Sequence, residues 1–294
     1  MNTRKNVLLA ALESKILILD GAMGTAIQKK NLTAKDFGGS ELEGCNENLI
    51  LTRPDVISEI HESYLIAGAD IIETNTFGAT PLVLDEYGLG GKTQEINVEA
   101  AKLARKLADR YSSKTPRFVA GSMGPTTKAI SVTGGITFES LKDSFHAQAL
   151  GLIEGGVDYL LLETCQDTRN IRAAILGINE AFKVTGKSIP IAVSITIEPT
   201  ATMLAGQSVE ALYASLAYID LLYLGLNCAT GPEFMTDHLR SLAKQSKFRL
   251  ACVPNAGLPD EKGNYLETPD MIASVLVRFA QNGWLNIAGG CCGT

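Results

Sequence analysis

The chain has 294 residues, with 26 Lys and Arg against 32 Asp and Glu for a formal charge of −6, and hydrophobic residues make up 46%. This is an ordinary globular composition, long enough for two domains or for one large (β/α) barrel. A mildly acidic chain without a block of Lys or Arg offers no footprint for nucleic acid, and no apolar run approaches the ~20 residues that span a bilayer, so neither partner is expected.

The N-terminus has a basic start and apolar stretches, but it contains Glu13 and Lys15 and lacks a signal-peptide cleavage pattern. Eight segments rich in Ile, Val and Leu follow, at 16–20, 70–77, 117–124, 157–164, 191–198, 221–228, 249–257 and 284–292. They read as parallel strands covered on both faces, because their apolar runs are continuous and do not alternate. Amphipathic helical patterns separate most of them. The first places Val56, Ile57, Ile60, Tyr64 and Leu65 on one face, and others precede strands three to eight. Several end in Gly just before a strand (AGAD, EGGVD, QNGW), as a glycine C-cap would. Strand and helix alternating about eight times predict a (β/α)₈ TIM barrel over residues 1–294. The alternative, a doubly wound open sheet, is disfavoured because polar and reactive residues end nearly every strand, whereas an open sheet gathers them at one switch point. The long first connection, 21–54, is expected to cross the barrel mouth as an irregular loop.

In a barrel the C-terminal strand ends face the active site. Those ends carry Asp20, then Glu73, Thr74 and Asn75, the segment SMGPT, Glu163, Asn227 and Cys228, Asn255, and finally Cys291 and Cys292. Six cysteines without secretory features argue for reduced thiols in the cytosol. Cys228, Cys291 and Cys292 supply the three ligands of a catalytic zinc site, provided that the backbone leaves strand geometry at the adjacent pair, which Gly289, Gly290 and Gly293 permit. The alternative is three small buried thiols. Cys252 reads as core and Cys165 as packing, while Cys45 stays open between the two. Asp20 and Glu163 end strands that otherwise read as buried, so either they meet a bound ammonium group or each caps a helix. His61, His146 and His238 fall in helices away from strand ends, which disfavours a Ser-His or Cys-His hydrolase.

The strand ends LDGAMGT, IIETNTFGAT, GSMGPT, LLETCQDT, GLNCATGPE, VPNAGLPD and GGCCGT, in this order, resemble the homocysteine S-methyltransferase family over essentially the whole chain. GCNENLILTRPDVI, PNAGLPDEKGNY and NIAGGCCGT are most similar to the branch formed by the N-terminal homocysteine-binding module of cobalamin-dependent methionine synthases. The resemblance implies zinc on Cys228, Cys291 and Cys292, homocysteine bound through its sulfur, and methionine as product. It also implies that Asp20 and Glu163 hold the substrate amino group, with Thr74, Asn75 and the amides near Gly21 and Ala22 as candidates for the carboxylate. Asn255 is expected near the metal, filling the fourth position when substrate is absent. The methyl donor would be methylcobalamin carried by another domain and regenerated by a methyltetrahydrofolate-binding module. A stand-alone enzyme using a sulfonium or betaine-type donor is one alternative, and a catalytically idle zinc-binding barrel is another. Family members continue past GGCCGT, whereas this sequence stops at Thr294, so the helix after strand eight is expected to be missing. An apolar strip would then be left uncovered, at a cost in stability unless a partner packs there.

Overall fold

A computed structural model describes residues 3–294. Eight parallel strands form the barrel: β1 (Leu17–Ile18), β2 (Ile71–Glu73), β3 (Phe118–Met123), β4 (Tyr159–Cys165), β5 (Ile191–Ile195), β6 (Tyr223–Asn227), β7 (Arg249–Val253) and β8 (Ile287–Ala288). Pairing runs in the order β1-β8-β7-β6-β5-β4-β3-β2. The ring closes between β1 and β2 through a bridge at Leu19 and Ile71, where Asp70 N–H donates to the Ile18 carbonyl at 2.7 Å and Asp20 N–H to the Ile71 carbonyl at 3.0 Å.

Alternate residues of each strand divide between two cores. Leu17, Leu19, Ile71, Phe118, Tyr159, Leu161, Tyr223, Val253 and Ile287 fill the barrel interior. Their neighbours Ile72, Val119, Leu160, Leu162, Val193, Leu224 and Leu226 pack outward against the surrounding helices. Covering both faces explains why the strand runs are apolar throughout. The expected helices are Pro54–Ala67, Thr93–Arg110, Phe138–Gly155, Thr168–Thr185, Val209–Leu216, Thr236–Gln245 and Pro269–Gln281. Gly68 (φ +110°) and Gly156 (φ +92°) end two of them in the left-handed conformation that glycine adopts without steric penalty. No helix is long and apolar enough to cross a membrane among the described residues.

Three features depart from the sequence reading. The strands are shorter than their apolar runs: β8 covers two residues of the nine expected, so Gly289 to Cys292 lie beyond the sheet. The 21–54 connection is not irregular. It folds into the short helices Met23–Gln28, Ala34–Phe37 and Leu49–Thr52, and Ile27, Phe37, Cys45, Leu49 and Ile50 form a satellite core with Ile57 and Ile60. Cys45 is therefore a packing residue. The third is an unforeseen helix, Arg4–Ser14, capped by the Thr3 hydroxyl, which accepts the Asn6 N–H at 3.4 Å. Its Leu8 and Leu12 insert into the interior set and close the end of the barrel opposite the strand exits. Burying one such leucine is worth roughly 1.5–3 kcal/mol, enough to hold a single short helix in place.

No helix follows β8 among the described residues. An apolar groove of about 500 Å³ lies over β1 and β8, lined by Ala67, Ile272 and Leu276 from the helices Pro54–Ala67 and Pro269–Gln281, and Ile18 in its base is 45% exposed.

Candidate metal and substrate site

A pocket of about 220 Å³ opens at the C-terminal strand ends and brings together Asp20, Glu73, Glu163, Cys228, Cys291 and Cys292. The three cysteine sulfurs lie within 4.8 Å of one another. Tetrahedral thiolate ligands at ~2.3 Å from one zinc stand roughly 3.8 Å apart, so the donor set fits that ion.

Each cysteine reaches this point by leaving strand geometry. Cys228 follows β6 with φ +62° and Ala229 follows with φ +59°, a left-handed pair that L-residues adopt only under constraint. The constraint is the Asn227 carboxamide. Its oxygen accepts the Ser194 hydroxyl at 2.7 Å and the Thr164 N–H at 3.0 Å, and its nitrogen donates to the Thr164 hydroxyl at 2.8 Å. The Cys291–Cys292 turn is held to neighbouring strand ends: Gly290 N–H donates to the Asp20 carbonyl at 3.1 Å, Cys291 N–H to Pro254 at 2.7 Å, and Ala256 N–H to Cys292 at 2.9 Å. Gly289 is required by close approach, since a Cβ there would lie 2.7 Å from the Leu19 Cβ, while Gly293 supplies a positive φ of +87°. The sulfurs also interact with one another. The neighbouring Cys228 and Cys291 thiols hold the Cys292 thiol well below the usual thiol range.

Asn255 is buried, and its carboxamide oxygen accepts the Cys292 N–H at 3.1 Å, which puts the side chain beside the cysteine turn. Thr74 and Asn75 line the pocket with the Thr74 hydroxyl and the Asn75 amide nitrogen engaged elsewhere. The Thr74 hydroxyl bonds Thr76 at 2.6 Å and accepts the Ser122 N–H at 3.0 Å, and Asn75 donates to the Asn46 carbonyl at 2.7 Å. Gly21 and Ala22 line the pocket beside Asp20. The histidines lie elsewhere. His61 is fully buried in the helix Pro54–Ala67, and burial pushes it down to about 4. Cys252 is core, as expected, and Cys165 is half-buried at the end of β4.

Asp20 and Glu163 are 5% and 7% exposed. Asp20 accepts the Glu73 N–H at 3.0 Å on one oxygen, while the other is buried without a partner. Glu163 accepts the Ser122 hydroxyl. No Lys, Arg or His of the described residues lines the pocket. Burial, opposed by its backbone hydrogen bond and reinforced by Glu163, pushes Asp20 well above the usual carboxylate range. Burial pushes Glu163 from 4.5 up to about 7, against the Ser122 hydrogen bond and with the Cys292 thiolate adding to the rise. Ser122 and Glu73 complete the polar floor. Both stood at strand ends in the sequence, but only the carboxylates matching the family motif were assigned to substrate. Tyr265, which borders the Cys292 sulfur, carried no signal of its own.

The Glu163 shift has a consequence for stability. Its folded-state value exceeds the unfolded one, so the folded chain holds a proton that the unfolded chain releases, and stability falls as pH rises between 4.5 and about 7. For metal-free, ligand-free protein, the unfolding free energy lost between about pH 5 and pH 8 should be roughly 2–3 kcal/mol smaller in Glu163→Gln than in the wild type. Equal losses in denaturant titrations at the two pH values would remove Glu163 as the cause.

Comparison with known proteins follows the same line. The family model described as homocysteine S-methyltransferase matches residues 17–294. The methionine synthases of Mycobacterium leprae and Mycobacterium tuberculosis are 42% and 41% identical over 291 residues, covering 98% of this chain. The chain spans about a quarter of the length of these relatives, 24% in each. Among solved structures, the homocysteine methyltransferase MmuM from Escherichia coli in its metallated form superposes with a TM-score of 0.79 at 25% identity, covering 98% of this chain and 96% of that one.

Proposed function

The chain belongs to the homocysteine S-methyltransferase family and is a methyltransferase, and from that premise we propose that it methylates homocysteine on sulfur, giving methionine, with zinc held by Cys228, Cys291 and Cys292. The observation that carries this reading is the juxtaposition in one pocket of three mutually adjacent thiols and two buried carboxylates without a cationic partner. A metal ion wants the first set and an ammonium the second, and homocysteine supplies a thiol and an ammonium in one molecule. Zinc on three cysteines would keep a fourth, substrate sulfur as thiolate at neutral pH, where a free thiol is only a few per cent ionised.

The protein residues do the positioning. Asn255 and the strand-end carbonyls fix the Cys291–Cys292 turn, and Asn227 fixes Cys228. The unpartnered oxygen of Asp20 and the carboxylate of Glu163 hold the substrate ammonium, and the backbone at Gly21 and Ala22 faces its carboxylate. The Asn255 oxygen, beside the cysteine turn, would complete the set of protein donors to the metal in the absence of thiol. No side-chain base would be needed at a mouth without histidine, because bound zinc would itself supply the acidity that ionises the thiol.

We further propose that the chain is the homocysteine module of a cobalamin-dependent methionine synthase, receiving its methyl group from methylcobalamin on a separate domain that a methyltetrahydrofolate-binding module recharges. Support comes from the relatives named methionine synthase that are about four times as long. A stand-alone enzyme with a sulfonium or betaine-type donor is the second reading, favoured by the full-length superposition on MmuM. Zinc-loaded protein should form methionine from homocysteine with free methylcobalamin and not with S-methylmethionine or betaine. The reverse donor preference would establish the second reading, and turnover with none of them would leave a zinc-binding barrel without this activity.

A further inference from the structure

The pocket floor holds a third carboxylate, Glu73, to which the reading above gives no task. Glu73 ends β2, between Asp20 beyond β1 on one side and Ser122 and Glu163 of β3 and β4 on the other, and lines the same pocket. The protein treats the three acids differently. Asp20 accepts a backbone N–H and Glu163 a hydroxyl, so each has a donor that favours its anion. No donor from the described residues reaches the Glu73 carboxyl. Ligand binding at this spot has its own mark: one oxygen of Asp20, on a residue 5% exposed, has no protein partner.

One ammonium cannot neutralise three carboxylates gathered in a pocket that no Lys, Arg or His of the described residues lines. The acid lacking a donor keeps its proton. An α-amino acid also carries its carboxylate one carbon away from its ammonium, so a substrate anchored on Asp20 and Glu163 brings an anion against the neighbouring groups. An ionised Glu73 would repel that anion, whereas a neutral acid can donate to it.

We propose that Glu73 works as a neutral carboxylic acid, donating a hydrogen bond to the α-carboxylate of the amino-acid thiol while Asp20 and Glu163 hold its ammonium. The proposal rests on homocysteine being the substrate. Burial, then the charges of Glu163 and Asp20, push Glu73 well above the usual carboxylate range. Other titratable groups around it are Tyr64 and, in the barrel interior, the Tyr159 and Tyr223 hydroxyls, all of which burial keeps un-ionised.

The test uses cobalt(II)-substituted protein, with thiol binding read from the thiolate-to-cobalt charge-transfer band. Two thiols are compared, homocysteine and 3-aminopropanethiol, which lacks the carboxylate. Glu73→Gln, which keeps a neutral donor, should bind homocysteine within about threefold of the wild type. Glu73→Met, without a donor, should bind it about 10- to 100-fold more weakly, yet bind 3-aminopropanethiol as the wild type does. Loss of homocysteine affinity in Glu73→Gln as large as in Glu163→Gln would make Glu73 an anion and overturn the proposal. So would equal weakening of both thiols in Glu73→Met. Glu73→Gln decides alone if Glu73→Met takes up no cobalt. Failure of the wild type to bind either thiol at cobalt would instead overturn the substrate reading beneath it.

Discussion

Cys228→Ala should lower zinc from about one equivalent per chain to near zero and reduce homocysteine methylation by at least about a thousandfold. Zinc held by a full set of protein ligands binds with roughly 10–16 kcal/mol. Divided among ligands, each thiolate supplies several kcal/mol, and a site of two cysteines and one amide oxygen competes poorly with water and buffer. The loss should be specific to the cluster. Cys45→Ala removes a more deeply buried thiol from the satellite core, so it should cost some stability and leave zinc content intact. Elemental analysis of both variants after dialysis, with circular dichroism to show folded protein, makes the comparison. Full zinc in Cys228→Ala would dissolve the cluster as a metal site.

Asp20→Asn should weaken homocysteine binding by about 2–5 kcal/mol, roughly 30- to several-thousand-fold, while raising the melting temperature of the free protein. The opposite signs have one origin. In the empty pocket Asp20 is a desolvated carboxyl next to Glu73 and Glu163, with one oxygen unpartnered, so its charge is a liability to the fold. Bound ammonium turns that liability into an ion pair shielded from water. Asparagine still presents an oxygen to the Glu73 N–H, so the backbone link between the ends of β1 and β2 survives. Thermal melts and thiol titrations on the same preparation decide it. Unchanged affinity would mean that the ammonium is held elsewhere.

The barrel was readable because each strand is a short apolar run, bounded by helical periodicity, with a polar residue at its exit. Cys228, Cys291 and Cys292 stood out for the same reason, at strand exits. Other parts left weaker traces. The helix Arg4–Ser14 is apolar on several sides, with Val7, Leu8, Leu9, Ala11 and Leu12 crowded together, so its 3.6 period merges into the run that continues through β1. The short helices of 21–54 each span about one turn, too little for periodicity to register. In the site, the hydroxyl of Thr74 looked available but bonds across to β3, because local sequence does not reveal which neighbour a strand-end side chain meets. The partnerless oxygen of Asp20 is likewise a property of packing, since it depends on Glu73 taking the other oxygen.

Leu8 and Leu12 stopper the end of the barrel opposite the strand exits. The base of the cylinder is thereby sealed by a segment that contributes no strand, while the strand exits carry the cysteines and carboxylates of the pocket. Support and chemistry thus sit at opposite ends of one cylinder, so the residues that seal the base are not the ones that line the mouth.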